Sequence, residues 1–353
     1  MKKLNEKEWD EFSLNDIFCF KLAKGDNQPK NMNKGRIPVV SAGETNNGVT
    51  AFVSKPDEGS VFQSGTVTVD MFGKAFWHGY DYCAVSHGRV NILDLNAPNN
   101  SSQFISTCID EGTISKYSYN QMCSQKRLTR QKVMLPVDDD GKPDYGYMAE
   151  YTKQTREALL VKYREYAEKR IAELGEAVEI PSLEEKEWGV FRIGELFDIS
   201  RPQARNKDDY ETGDIPFVAS GAVNNGVMKY CAPHDEESLD GGVCITVSPV
   251  DGSSFYQPIA FLGRGGAGSS ILMLRNNVLN EFSGQFIARM VRQTCSKYTY
   301  GHMGNKDSIK RERIMLPVND SGEPDYEYME QYAKNMMLRK YSSIWHFLNG
   351  RNN

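Results

Sequence analysis

The sequence predicts an α+β chain: two β-rich domains in tandem repeat, each followed by a long α-helix, the two helices pairing as an antiparallel coiled coil. Three observations predict it. A segment of about 180 residues is written twice. Within each copy, short runs of Val, Thr, Ile and Phe alternate with Gly and Asn turns. After Pro143-Asp144 and again after Pro324-Asp325, the apolar spacing lengthens from strand-like to helical. The expected boundaries are a first domain at 1–145, a helix at 146–178, a second domain at 179–325 and a second helix at 326–353.

The repeat is plainest at 133–153, VMLPVDDDGKPDYGYMAEYTK, against 314–334, IMLPVNDSGEPDYEYMEQYAK. Thirteen of these 21 positions are identical, too many for chance. The match runs backwards through Lys116-Tyr117-Ser118-Tyr119 and Lys297-Tyr298-Thr299-Tyr300, then Asn46-Asn47-Gly48-Val49 and Asn224-Asn225-Gly226-Val227, then Ile37-Pro38-Val39 and Ile215-Pro216-Phe217. Trp9 opens the first copy as Trp188 opens the second. Residues 70–100 and 250–280 share little, so one frame carries two different variable stretches. A kept frame with divergent loops points to two related tasks on different ligands.

Each copy is expected to open with a short amphipathic helix or turn. Strands follow at Val67-Thr68-Val69, Val90 to Leu93, Val243 to Val247 and Ile271 to Leu274. Gln103-Phe104-Ile105 and Gln285-Phe286-Ile287 begin helices, and Val133 to Val137 and Ile314 to Val318 read as closing strands. In the first long helix Met148, Tyr151, Thr155, Leu159, Tyr163, Tyr166, Ile171 and Leu174 form one stripe; Met329, Tyr332, Met336, Tyr341, Ile344 and Leu348 form the other. Asp144 and Asp325 suit the N-cap, and Gly175 suits the stop. Residues 147–174 would run about 40 Å. A stripe of that length outreaches a small β domain, so the helices are expected to pack on each other. Each helix capping its own domain is the alternative, and a mixture that leaves part of each stripe for a partner is a third arrangement.

A length of 353 residues fits about two domains, and 39 % hydrophobic with 25 % charged residues excludes a wholly disordered chain. No run of 18 apolar residues could span a bilayer. The start, MKKLNEKEWDEF, lacks the apolar core of a signal peptide. The cysteines, Cys19, Cys83, Cys108, Cys123, Cys231, Cys244 and Cys295, form no C-x-x-C pair, which is the usage of reduced structural thiols in a cytoplasmic protein. Five scattered histidines offer no zinc spacing. The net charge of −5 means that any nucleic-acid role needs local basic faces or a partner that shares the phosphate grip.

Two decoys fail on context. Gly263 to Gly268 fits G-x-G-x-x-G but leads into strand-like Ile271 to Leu274, not a helix, so a mobile loop is the better reading. Pro-Asp at 56–57, 143–144 and 324–325 lacks the Glu-x-Lys of a metal-dependent nuclease, and no Asn-Pro-Pro-Tyr or Asp-Pro-Pro-Tyr of an aminomethyltransferase is present.

Variable domain, long helix, variable domain, long helix: over the whole chain this order resembles the specificity (S) subunit of multisubunit restriction–modification systems. The proline-bearing segment from Leu135-Pro136-Val137 to Asp144-Tyr145 departs from the commonest Type I pattern and, with the short length, looks more like the compact S subunit of Bcg-type (Type IIB) systems. The resemblance implies two target-recognition domains on antiparallel helices, each reading one half of a bipartite double-stranded DNA site. It implies no catalysis in this chain and no cofactor of its own. S-adenosylmethionine and magnesium would belong to the partners, modification methyltransferase or fused nuclease–methyltransferase subunits. Geometry agrees, since half-sites on one DNA face lie roughly 34 Å apart, near the reach of such a helix. A stand-alone nuclease or transferase with a duplicated core is the rival reading, and a pair of carbohydrate- or protein-binding modules is a third.

Phosphate contacts position a protein and base-edge contacts specify. The repeated basic runs are therefore assigned to phosphates: Lys116, Lys126, Arg127, Arg130 and Lys132, and in the second copy Lys297, Lys306, Lys310, Arg311 and Arg313. An ordinary solvated charge run competes with that assignment. Tyr117, Tyr119, Tyr298 and Tyr300 alternate, either half in the core and half outside, or on DNA. The Asn-Asn-Gly triplets read first as turns. Base readout is assigned to the divergent stretches: Lys74, Trp77, His78, His87 and Arg89 in the first, Ser253, Ser254, Tyr256, Gln257 and Arg264 in the second.

Overall fold

Trp9–Ser13 pairs antiparallel with Lys132–Pro136, and Trp188–Arg192 pairs with Arg313–Pro317 in the same register, Trp9 opposite Pro136 and Trp188 opposite Pro317. The opening of each copy is thus a strand, and the short helix expected there follows it as a single turn, Leu14–Ile17 and Ile193–Leu196. The partner strand lies at least 119 residues away, which no local pattern reveals. The computed structural model describes residues 2–23, 28–55, 61–86, 89–97, 100–113, 115–266 and 270–350.

The chain forms two compact units, Met1–Lys162 and Tyr163–Asn353, divided inside the first long helix. Each contains the same two further sheets. In the first unit, Phe18–Leu22, Val90–Leu95, Thr66–Asp70 and Ala75–His78 lie side by side, all antiparallel. In the second, Asp198–Ser200, Leu272–Arg275, Cys244–Val247 and Ser254–Gln257 repeat that order. The other sheet is built around Lys34–Val40 and Thr212–Val218, each with one antiparallel neighbour and one parallel. The divergent stretches 70–100 and 250–280 therefore supply core strands of one frame, not loops alone.

A helix closes each antiparallel sheet: Ser102–Thr113, and Glu281–Cys295, whose Asn280 N-cap accepts from Phe282 and Ser283. The Asn-Asn-Gly triplets are turns, with all three residues at positive φ in both copies. Asparagine tolerates that region better than other side chains, and glycine has no penalty there.

The first long helix is Tyr145–Leu174 and the second Tyr326–Gly350. Asp144 and Asp325 cap them, accepting from the Tyr147 and Tyr328 N–H groups at 2.9 and 3.0 Å. Gly175, at φ 72°, ends the first. Each helix start is fastened to its own domain. Lys7 binds Asp144 and Lys186 binds Asp325 at 2.8 and 2.7 Å. Trp9 stacks on Phe104, which meets Tyr151 edge-on; Trp188, Phe286 and Tyr332 repeat that ladder. Within the second unit the end of the first long helix runs antiparallel to the second: Glu168 accepts from the Trp345 indole, Arg164 donates to the Leu348 carbonyl, and the Tyr166 and Tyr341 hydroxyls meet at 3.3 Å. Between the fastened ends the stripe is uncovered. Thr155 and Val161 are exposed and Leu159 is 61 % exposed, so helix pairing, own-domain capping and an open stretch all occur on one helix.

All seven cysteines are free, five of them buried; Cys19 is exposed. Among the described residues no helix is long and apolar enough to cross a membrane.

Candidate nucleic-acid interface

In both copies the sheet-covering helix leads into a tight turn, closed by a bridge between Ser118 and Gln121 in the first and between Thr299 and His302 in the second. The turn sorts its two tyrosines. Tyr117 packs against the first core and Tyr298 is only 4 % exposed, its hydroxyl donating to Glu312 at 2.5 Å. Burial, with that carboxylate beside it, pushes the Tyr298 phenol up to about 12. Tyr119 and Tyr300 point outward, 73 % and 84 % exposed. The alternation expected of a strand is produced by a turn, one ring in and one ring out.

The cations surround these turns in sequence. Lys116, Lys126, Arg127 and Arg130 are exposed, as are Lys297, Lys306, Lys310, Arg311 and Arg313. Residues 114–132 contain five Lys or Arg and no acid, so this edge is basic although the chain is acidic overall. Some charge is already engaged: Lys132 pairs with Glu11 at 2.9 Å, Lys297 with Glu312 at 2.6 Å, and Arg127 donates to the Met122 carbonyl at 2.7 Å. Exposed cations beside an exposed phenol can hold phosphates by charge and by hydrogen bonds.

The residues assigned to base readout are scattered. Arg89 is exposed, while Lys74 is half-buried and bound to Asp110 at 2.6 Å. Trp77 lies partly buried against the first core. His78 is buried between Thr68 and Tyr80, and burial lowers its imidazole to about 4. His87 lies outside the described residues. In the second copy Ser253, Ser254, Tyr256 and Gln257 are buried, not surface readers. Gln257 is spent on internal bonds, to the Asn225 carbonyl at 3.0 Å and the Thr246 hydroxyl at 3.1 Å, and it accepts from the Asn225 amide. Polar side chains in strands were read as surface ones; their partners on neighbouring strands make them interior. Arg264 is half-buried, with its Nε unpartnered, and follows the strand Leu262–Gly263. Its carbonyl accepts from Ile271, so this end of the glycine-rich segment is tied into the sheet region rather than free; 267–269 lie outside the described residues.

Sequence reasoning passed over Arg289 and Arg292, on the outer side of the second sheet-covering helix, above a cleft of about 420 Å³. The signal was present, because Gln103-Phe104-Ile105 aligned with Gln285-Phe286-Ile287 places Asp110 opposite Arg292. The first domain has a cleft of about 550 Å³ beside Glu44, Asp70, Lys74 and Asp110.

Fold and surface together define a duplicated binding protein: one α+β scaffold used twice, each copy presenting a basic, tyrosine-tipped turn. The chain belongs to the Type I restriction modification DNA specificity domain family, whose model matches residues 6–160 and again 185–343. It is 26 % identical over 337 residues to the Type II restriction enzyme BgcI specificity subunit S.BcgI of Heyndrickxia coagulans, covering 93 % of this chain and 94 % of that one. Among solved structures it is similar to the Type I restriction–modification S subunit of M. genitalium, at 12 % identity and a TM-score of 0.48 over 99 % of this chain and 95 % of that chain. It is also similar to the HsdS subunit of Thermoanaerobacter tengcongensis, at 15 % identity and a TM-score of 0.30 over 98 % and 92 %.

Proposed function

We propose that the chain is the non-catalytic DNA-recognition subunit of a restriction–modification complex, each domain reading one half of a bipartite duplex target. The observation that carries this reading is the doubled turn. The same exposed tyrosine recurs, beside cations at three matched positions, Lys116, Arg130 and Lys132 against Lys297, Arg311 and Arg313, in two domains that both match a DNA specificity family. Catalysis, with its S-adenosylmethionine and magnesium, belongs to modification methyltransferase or fused nuclease–methyltransferase subunits. The uncovered helical stretch around Leu159 and Val161 is apolar surface on which such a subunit can dock. A partner that closes around the duplex also supplies phosphate contacts that a chain of net charge −5 lacks.

The test is a map of methylated bases in the host genome, with the gene intact and deleted. The reading expects one bipartite motif to lose its methylation on deletion. Purified chain that methylates or cleaves DNA unaided would overturn it.

A further inference from the structure

The two sheet-covering helices carry opposite charge at one position. Sheet register supports the equivalence: Phe76 pairs with Thr68 as Phe255 pairs with Thr246. In the first domain that residue is Asp110, engaged by the Lys74 ammonium at 2.6 Å and the Ala75 N–H at 3.1 Å, with Lys74 5.7 Å from the Phe76 centroid. In the second it is Arg292, whose own guanidinium lies 5.6 Å from the Phe255 centroid. Arg289, one turn earlier, is exposed on the same side of the helix.

Both arginines line the 420 Å³ cleft with Asn225, Phe255 and Gln285. Neither guanidinium makes a hydrogen bond or ion pair among the described residues. Glu281, which also lines the cleft, binds Arg170 at 2.7 Å, and Asp251 accepts from the Ser253 hydroxyl at 2.6 Å while lying within reach of the Arg292 charge. Two guanidinium forks without hydrogen bonds therefore stand over a concave, partly aromatic floor, one of them beside the Phe255 ring.

We propose that Arg289 and Arg292 read guanine in the half-site of the second domain, donating to the O6 and N7 acceptors at the major-groove edge. The inference rests on the DNA-recognition reading above and adds the residues and the base. The exposed turns supply phosphate contacts; this cleft supplies the fork geometry that a purine edge needs. In the first domain an engaged carboxylate stands in the same place, so the two halves differ in sequence.

The experiment is selection from a random-sequence duplex library by the full-length chain assembled with its modification subunits, as wild type and as Arg289→Gln, Arg292→Gln and Arg292→Lys, with thermal unfolding confirming that each variant folds. Wild type is expected to enrich two half-sites, one containing guanine. The variants should lose about 5- to 150-fold of that guanine preference in one half only, and Arg292→Lys should not restore it, because lysine keeps the charge without the fork. An intact motif with affinity lowered evenly and a smaller salt slope would show phosphate contact and overturn the proposal. Weakening of both halves together would also overturn it. Wild-type complex enriching no motif would sink the DNA-recognition reading itself, a separate failure.

Discussion

His78 and Gln257 hold the same station in the two domains: each sits on the edge strand of the antiparallel sheet and hydrogen-bonds a threonine one strand inward, His78 to Thr68 at 2.7 Å and Gln257 to Thr246 at 3.1 Å. One of them titrates and the other does not. The His78 imidazole, lowered by burial from 6.5 to about 4, binds a proton more readily in the unfolded chain across that window. The folded state therefore loses stability as pH falls from 6.5 towards 4, by about 3 kcal/mol in full. His78→Gln should fold and abolish that part of the acid sensitivity, which urea unfolding at pH 5 and pH 7.5 reads directly. Equal pH dependence in wild type and variant would contradict the assignment.

The paired tyrosines should separate binding from stability. Tyr119→Phe and Tyr300→Phe remove exposed hydroxyls, so stability should stay within about 0.5 kcal/mol while duplex affinity falls about 2- to 10-fold. Tyr298→Phe removes a buried bond to Glu312 and should cost about 1–2 kcal/mol of stability instead. Filter binding and thermal unfolding of the three variants decide it.

Asp144 and Asp325 do one job twice. Burial opposes their ionisation, but the lysine ammonium and the capped N–H hold both carboxyls below the ordinary 3.8. Their stabilisation is present above about pH 4 and is lost as pH falls through the lowered value. Asp144→Ala and Asp325→Ala should each cost about 1–2 kcal/mol at neutral pH and leave less acid dependence behind. Denaturant titrations at pH 7 and pH 3.5 check both the size and the sign.

Gly252 stands at φ 69° with room for no side chain; an added Cβ would lie 2.0 Å from the Cys295 carbonyl oxygen. Gly73, at φ 89°, is less tightly enclosed: a Cβ there would lie 2.7 Å from the Tyr117 ring and 3.0 Å from the Thr113 side chain. Gly252→Ala should destabilise the second unit by at least about 1–3 kcal/mol from the backbone conformation alone. Hydrogen exchange should show the loss in the second unit with the first unchanged.

Much of this was legible in the sequence. The repeat, the Asn-Asn-Gly turns, the helix caps at Asp144 and Asp325 and the stop at Gly175 are local signals, carried by residues whose backbone demands are specific. Pairing of Trp9–Ser13 with Lys132–Pro136 was not legible, because it is set across the whole domain. Burial of Gln257 and His78 was hidden for another reason: a threonine on the adjacent strand of the same hairpin, only 10 or 11 residues away, satisfies a polar side chain turned inward, and composition does not show that pairing. Arg289 and Arg292 were not legible because they lie outside the divergent stretches, on a helix whose Gln-Phe-Ile opening the two copies share.

In the proposed function each domain reads its own half of one target. Exchanging residues 1–145 for the first domain of another family member, then mapping methylated bases in cells that also carry the modification subunits, tests it most directly. The account predicts that one half of the motif changes and the other is kept base for base. A motif altered in both halves, or in neither, would contradict it.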